Sequence, residues 1–229
     1  MICLPISADT PEKLLAAVRE CGEGADLLEI RLDFLERPEE ADIAGIAKAA
    51  SLPLICTCRH GSEGGKWHGE EKQRIKILKN AAVSGATYID VELISGPDVL
   101  RELRETTSAA GCKLIVSFHD FSGTPARDSL LDVMLGQQNA GADIGKIVVM
   151  AKSPRDVAVP FSIYHVADRA DFPLVAFSMG EPGRISRVAC LAMGAPFTFA
   201  APDTGAGTAP GQITVSEMRR LVKMLLTPR

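Results

Sequence analysis

No block of like charge interrupts this sequence. Its 25 basic and 29 acidic residues are interspersed, with a net charge of −4. No basic stretch or tail is present to track a phosphate backbone, which argues against nucleic acid as the main partner. No apolar run has the length needed to span a bilayer, and no membrane association is expected. The first fifteen residues carry no positive segment followed by a long apolar one, so no signal peptide is expected and the cytoplasm is the predicted compartment. C-x-x-C is missing: Cys56 and Cys58 are spaced C-x-C, and the remaining cysteines are scattered in apolar surroundings. None of the four histidines falls in an H-x-x-x-H or H-E-x-x-H pattern. A metal site is therefore not expected.

What is present is a regular alternation. Short apolar strand candidates lie at 2–6, 26–32, 53–59, 87–93, 113–119, 143–150, 173–179 and 197–200. Segments of helical periodicity follow each of them, at 11–21, 39–50, 70–84, 97–110, 126–140, 154–169, 183–193 and 213–226. Asp9-Thr10-Pro11 and Ser153-Pro154 mark helix starts, and Gly85, Gly111, Gly141 and Gly194 mark ends. Eight strand–helix units of even spacing predict an α/β fold, a (β/α)8 TIM barrel, as a single domain over 1–229. A doubly wound sheet also alternates, but the even repetition favours the closed barrel. No linker or second domain is expected, and nothing suggests fusion to a further enzyme. Two glycine-rich segments, 60–69 and 201–212, exceed the usual connection length. Both follow a strand's C-terminal end, where barrel enzymes build their sites, and they read as candidate lids.

Barrel interiors are normally filled by bulky apolar side chains, and here polar residues recur instead near strand C-termini. Residues two apart in a strand share a face. That rule pairs Glu29 with Arg31, Thr57 with Arg59, Asp90 with Glu92 and Ser117 with His119; Lys146 sits inside the apolar run 142–150. Any one of these fits a structural ion pair, but the set fits a small-molecule site better. Taken alone, Lys146 reads as a lysine whose stem packs and whose head reaches out; the surrounding ring reverses that reading. Burial disfavours its charged form, nearby arginines add to the effect, and a neutral amine attacks carbonyls to form an imine. Arg31, Arg59 and Arg187 imply an anionic substrate, best a carboxylate. His119 is placed to carry protons, with Glu63 as a candidate to fix its tautomer. The residues by themselves stop at a Schiff-base lyase or aldolase acting on a small carboxylated carbonyl compound.

The ordered motifs EIRLD (29–33), TCRHGSEGG (57–65), YIDVEL (88–93), SFHDF (117–121), DIGKIVVMA (143–151), SMG-EPG-RISR (178–187) and APGQI (209–213) resemble the type I 3-dehydroquinate dehydratases of the shikimate pathway. The likeness covers essentially the whole chain. It implies syn elimination of water from 3-dehydroquinate to 3-dehydroshikimate without metal or organic cofactor. Lys146 matches the imine-forming lysine, His119 the general acid/base and Glu63 the carboxylate that orients it. Arg187 and Gln212 match residues gripping the substrate carboxylate and hydroxyls. Glu29, Arg31 and Arg59 match the polar floor, and Met179 and Phe199 the apolar walls. Thr208 stands where serine is expected, and 202–207 is longer than usual, which bears on lid closure more than on chemistry. The resemblance also implies a homodimer. A class I aldolase shares the lysine but needs a phosphate grip, for which 204–211 is the candidate. A catalytically inactive binding barrel would be expected to lose the lysine or the histidine, and both are here.

Overall fold

The computed structural model describes residues 1–20, 24–203 and 209–226. Eight parallel strands form the centre: β1 (Ile2–Ile6), β2 (Leu27–Arg31), β3 (Leu54–Thr57), β4 (Tyr88–Glu92), β5 (Lys113–Asp120), β6 (Ile144–Met150), β7 (Leu174–Met179) and β8 (Thr198–Phe199). They are hydrogen-bonded in the order β7-β6-β5-β4-β3-β2-β1-β8. Among the described residues no ladder joins β7 to β8, so the sheet is a barrel short of one seam. The Phe177 and Phe199 rings face one another there, 6.3 Å apart. Nearly every strand residue is buried, as a barrel wall covered by helices outside and side chains inside requires.

The helices are α1 (Pro11–Arg19), α2 (Ile43–Ala49), α3 (Glu71–Val83), α4 (Pro97–Ala110), α5 (Arg127–Asn139), α6 (Ala158–Phe161), α7 (Tyr164–Arg169), α8 (Ser186–Ala192) and α9 (Val215–Leu226). Local chemistry sets their limits. Thr10 caps α1 by accepting from the Lys13 N–H, with Pro11 in the first turn. Pro97 opens α4, and Gly111 closes it with φ +69, a conformation a side chain disfavours. Leu100, Leu103 and Thr107 give α4 its buried stripe. Truncating a fully buried residue such as Leu103 costs about 2–5 kcal/mol.

Two predicted helices are broken. The segment expected at 39–50 is a 3-10 turn, Pro38–Glu40, followed by α2, because the Asp42 carboxylate caps a fresh start by accepting from the Gly45 N–H at 2.9 Å. The segment expected at 154–169 is a 3-10 turn, Pro154–Val157, then α6 and α7. The Ser162 hydroxyl donates to the Val159 carbonyl at 2.6 Å between α6 and α7, where side-chain bonding to the backbone competes with a continuous helical ladder. The last helices also start late, α8 at Ser186 and α9 at Val215. None of the described helices is long and apolar enough to cross a membrane.

β5 and β6 fix the level of the site. Ser117 is in register with Lys146, and His119 with Val148. His119 therefore stands one side-chain repeat nearer the C-terminal rim than Lys146. Behind Lys146, the Gln137 side chain of α5 donates to its backbone carbonyl at 2.9 Å. A Cβ on neighbouring Gly145 would lie 2.6 Å from that amide oxygen and 2.7 Å from the Phe172 ring. Only glycine lets α5 approach the lysine's strand this closely.

Candidate active site

A cleft opens at the C-terminal ends of the strands. Glu29, Arg31, Arg59, Glu63, His119, Lys146, Met179, Arg187, Phe199 and Gln212, all expected from the sequence, line it together. Thr208 lies outside the described residues, as does the 204–208 part of the second candidate lid. Gly64, Phe121, Val148, Phe177 and Ala209 complete the lining and were not among the expected residues.

Lys146 is not the lone buried amine that its strand suggested. Its Nζ donates to Asp90 Oδ2 at 2.9 Å, lies 3.6 Å from Glu29 Oε1 and sits 4.4 Å over the Phe199 ring. Two carboxylates thus compensate a side chain that is only 4% exposed. Asp90 is the hub. Its Oδ2 also meets Arg59 Nη2 at 2.9 Å, and its Oδ1 accepts from the Ser117 hydroxyl at 2.6 Å. Burial alone would raise the Asp90 carboxyl; Arg59 and Lys146 outweigh it and hold the group well below the usual carboxylate range. Glu29 accepts from the Thr57 hydroxyl at 2.9 Å.

The arginines do not act on the lysine as free positive charges either. Arg59 is split between Asp90 and Glu92, with 2.7 Å from Nη1 to Glu92 Oε1. Arg31 is clamped by both oxygens of Asp33 at 3.0 and 2.8 Å and lies over the Phe34 ring. Asp33 ends the EIRLD motif, yet nothing in the sequence marked it as the partner of Arg31.

The first candidate lid is tied down. The Gly61 N–H donates to the Trp67 carbonyl and the Trp67 N–H to the Arg59 carbonyl across it, and Gly64 turns the chain at φ +76 with the Phe121 ring packed against it. This brings Glu63 back to β5. Its Oε2 accepts from the His119 backbone N–H at 2.8 Å and lies 2.9 Å from Nδ1. Nε2 is left for the cleft. Burial pushes Glu63 up to about 8, against the pull of Arg59, while burial, Arg59 and Lys146 press His119 well below its ordinary value. Both directions favour a neutral imidazole at neutral pH, the form that accepts a proton.

Arg187 is the exception in this network of paired charge. It is 1% exposed, lies 4.9 Å over the Phe177 ring and donates from Nη2 to the Pro210 carbonyl at 2.9 Å. Its buried Nε has no hydrogen-bond partner among the described residues. Among the described residues no carboxylate pairs with it, and burial draws its guanidinium down to about 10. A buried guanidinium without a counter-charge is costly, and an anion entering the cleft supplies one in the two-pronged geometry that arginine favours.

A barrel with a buried, ion-paired lysine, a carboxylate-held histidine and an unpaired arginine at its catalytic rim falls among the barrel enzymes that act on small anionic molecules. The sequence model of the family described as Type I 3-dehydroquinase matches residues 2–227. The 3-dehydroquinate dehydratase of Desulfotalea psychrophila is 39% identical over 219 residues, covering 95% of each chain. The crystal structure of 3-dehydroquinate dehydratase from Geobacillus kaustophilus superposes with a TM-score of 0.90 at 31% identity, over 99% of this chain and 92% of that one. The type I 3-dehydroquinate dehydratase of Clostridium difficile, solved with covalently modified comenic acid, gives 0.87 at 29% identity over 98% and 91%. The chain belongs to the type I 3-dehydroquinase family, the hydro-lyases of the shikimate pathway.

Proposed function

We propose that this chain removes water from 3-dehydroquinate by syn elimination through an imine on Lys146. The substrate carboxylate pairs with Arg187, and Gln212 takes hydroxyls beside it. That pairing sets the ring's ketone, C3, toward Nζ. Lys146 gives up its proton and attacks; a C–N bond forms, and the ketone oxygen leaves as water. The protonated imine draws electrons from C2, so His119 removes the C2 proton there. Electrons then flow back as the C1–O bond breaks, and the departing hydroxyl takes the proton held by His119. Water hydrolyses the imine, releasing 3-dehydroshikimate and the free lysine. Glu63 holds the imidazole through Nδ1, which keeps Nε2 the working nitrogen.

The observation that carries this reading is the combination of Lys146 and His119 one repeat apart on adjacent strands with an unpaired, buried Arg187 across the cleft. Ion pairing with Asp90 serves the free enzyme by holding the amine in place without leaving a buried charge uncompensated. Met179 and Phe199 close the sides against water. Family membership also supports a homodimer in the cytoplasm, checked by a solution mass of twice the 24.4 kDa chain.

Replacing Arg187 tests the carboxylate grip. Arg187→Leu keeps the packing on Phe177 and removes the charge, and it is expected to lower kcat/KM by about 30–150-fold, mostly through KM. Unchanged kcat and KM with 3-dehydroquinate would remove Arg187 from the site.

A further inference from the structure

Arg74 lies on α3, outside the cleft lining, yet it is 1% exposed. All of its N–H groups are directed to acceptors. Nε and Nη2 take both oxygens of Glu71 at 2.8 and 2.7 Å, and Nη2 also reaches the Ser95 hydroxyl at 2.7 Å. Nη1 donates to the Cys58 carbonyl at 2.9 Å and to Glu92 Oε2 at 2.5 Å. Glu92 is fully buried, and its other oxygen receives Arg59 Nη1 and the His60 backbone N–H. The result is an unbroken chain of alternating charge from helix to lysine: Arg74, Glu92, Arg59, Asp90, Lys146.

The branch at Arg59 gives this chain its consequence. Arg59 divides its guanidinium, Nη1 to Glu92 and Nη2 to Asp90. How it divides depends on how much of Glu92 is neutralised from the other side. With Arg74 in place, Glu92 needs only one arm. Without Arg74, Glu92 is a buried carboxylate whose nearest cation is Arg59, and it draws the guanidinium away from Asp90. Asp90 then has more charge to direct at the Lys146 ammonium, which must lose its proton before it attacks.

We propose that Arg74 is a positioning residue for imine formation: by neutralising Glu92 it keeps one arm of Arg59 on Asp90 and thereby limits how firmly Asp90 holds Lys146. The inference rests on the imine reading above. The ammonium also faces Glu29 and Arg31 from β2, Cys3 from β1, His119 with Glu63 behind it from β5, and Arg187 from α8. None of these touches Arg74, so a change made on α3 reaches the lysine through Glu92 and Arg59.

The test is kcat/KM for 3-dehydroquinate against pH in the intact enzyme and four variants. Arg74→Met is expected to move the acid limb up by about one pH unit, with about a tenfold loss on that limb. Glu92→Gln, which frees Arg59 for Asp90, moves the limb the opposite way. Arg74→Met/Glu92→Gln leaves the limb where Glu92→Gln alone puts it, because Arg74 acts only through the Glu92 carboxylate. Arg74→Lys keeps the charge but cannot reach all of the acceptors, so it lowers Tm and leaves the limb in place. A folded Arg74→Met enzyme with an unmoved limb and only a lower Tm overturns the proposal, as does a limb that moves equally in Arg74→Lys. Should Arg74→Met fail to fold, an unmoved limb in Glu92→Gln overturns it alone. Borohydride labelling of wild-type Lys146, run alongside, separates the two claims. Labelling with unmoved limbs defeats the role of Arg74, whereas absent labelling defeats the imine reading beneath it.

Discussion

Lys146→Ala is expected to lower kcat by about 10⁴–10⁶-fold, the scale of losing a covalent nucleophile. Every step proposed for this site passes through the C–N bond at Nζ, and among the described residues no second lysine lines the cleft. The fold should survive the change. Asp90 keeps Arg59 Nη2 and the Ser117 hydroxyl, and Glu29 keeps the Thr57 hydroxyl, so neither carboxylate is left bare. The control is Lys146→Arg, which retains a cation beside Asp90 but has no nucleophilic amine at neutral pH. It should be as inactive as the alanine variant while unfolding at a temperature nearer wild type. Near-normal turnover by either protein, in a preparation free of host enzyme, would end the imine mechanism.

His119→Ala has the second largest expected effect and a different signature. General acid–base groups contribute about 10²–10⁴-fold, and His119 is asked to serve at more than one step, so kcat should fall by at least about 10³-fold. Imine formation should continue slowly, because the lysine is intact. Elimination stalls, and a covalent adduct accumulates that mass spectrometry of the intact protein detects without a reducing agent. Glu63 loses its Nδ1 partner but keeps the backbone N–H of residue 119, so its loop stays in place. The pH dependence follows from the direction of the histidine's shift. Burial, with Arg59 and Lys146, holds His119 well below its ordinary value, so its basic form persists to lower pH than that of a free imidazole. The variant's defect should therefore extend through slightly acidic pH rather than appear only above neutrality. A His119→Ala enzyme that turns over without accumulating an adduct would show that another group moves the proton.

Much of this site was legible in the sequence because a parallel barrel strand is a rigid ruler. The two-residue spacing in EIRLD, YIDVEL and SFHDF put polar side chains on one face whatever the neighbouring strands did. The single lysine in an apolar run was conspicuous for the same reason. What the spacing could not supply was the register between strands, which closure of the barrel decides. That register puts Asp90 of β4 against Lys146 of β6, two strands away, and it turns a lysine predicted to be neutral by burial into one held between carboxylates. The arginines were misjudged likewise. Arg31 is satisfied by Asp33, two residues further along the chain, and of the three site arginines Arg187 alone has no carboxylate partner among the described residues. Arg74 stayed hidden because E-K-Q-R-I-K reads as a solvated helix face, and its burial depends on how α3 lies against β3 and β4. The breaks at 39–50 and 154–169 come from short polar side chains, Asp42 and Ser162, that bond their own backbone. The aldolase that the residues alone left open gives way to the full-length family match.

The most direct test of the account is to mix the purified enzyme with 3-dehydroquinate, follow the ultraviolet rise of the conjugated product, and quench a parallel sample with borohydride for peptide mapping. The account predicts product together with a reduced adduct on the peptide carrying Lys146. Product with no adduct on that peptide would leave the dehydration standing and contradict the lysine's role in it.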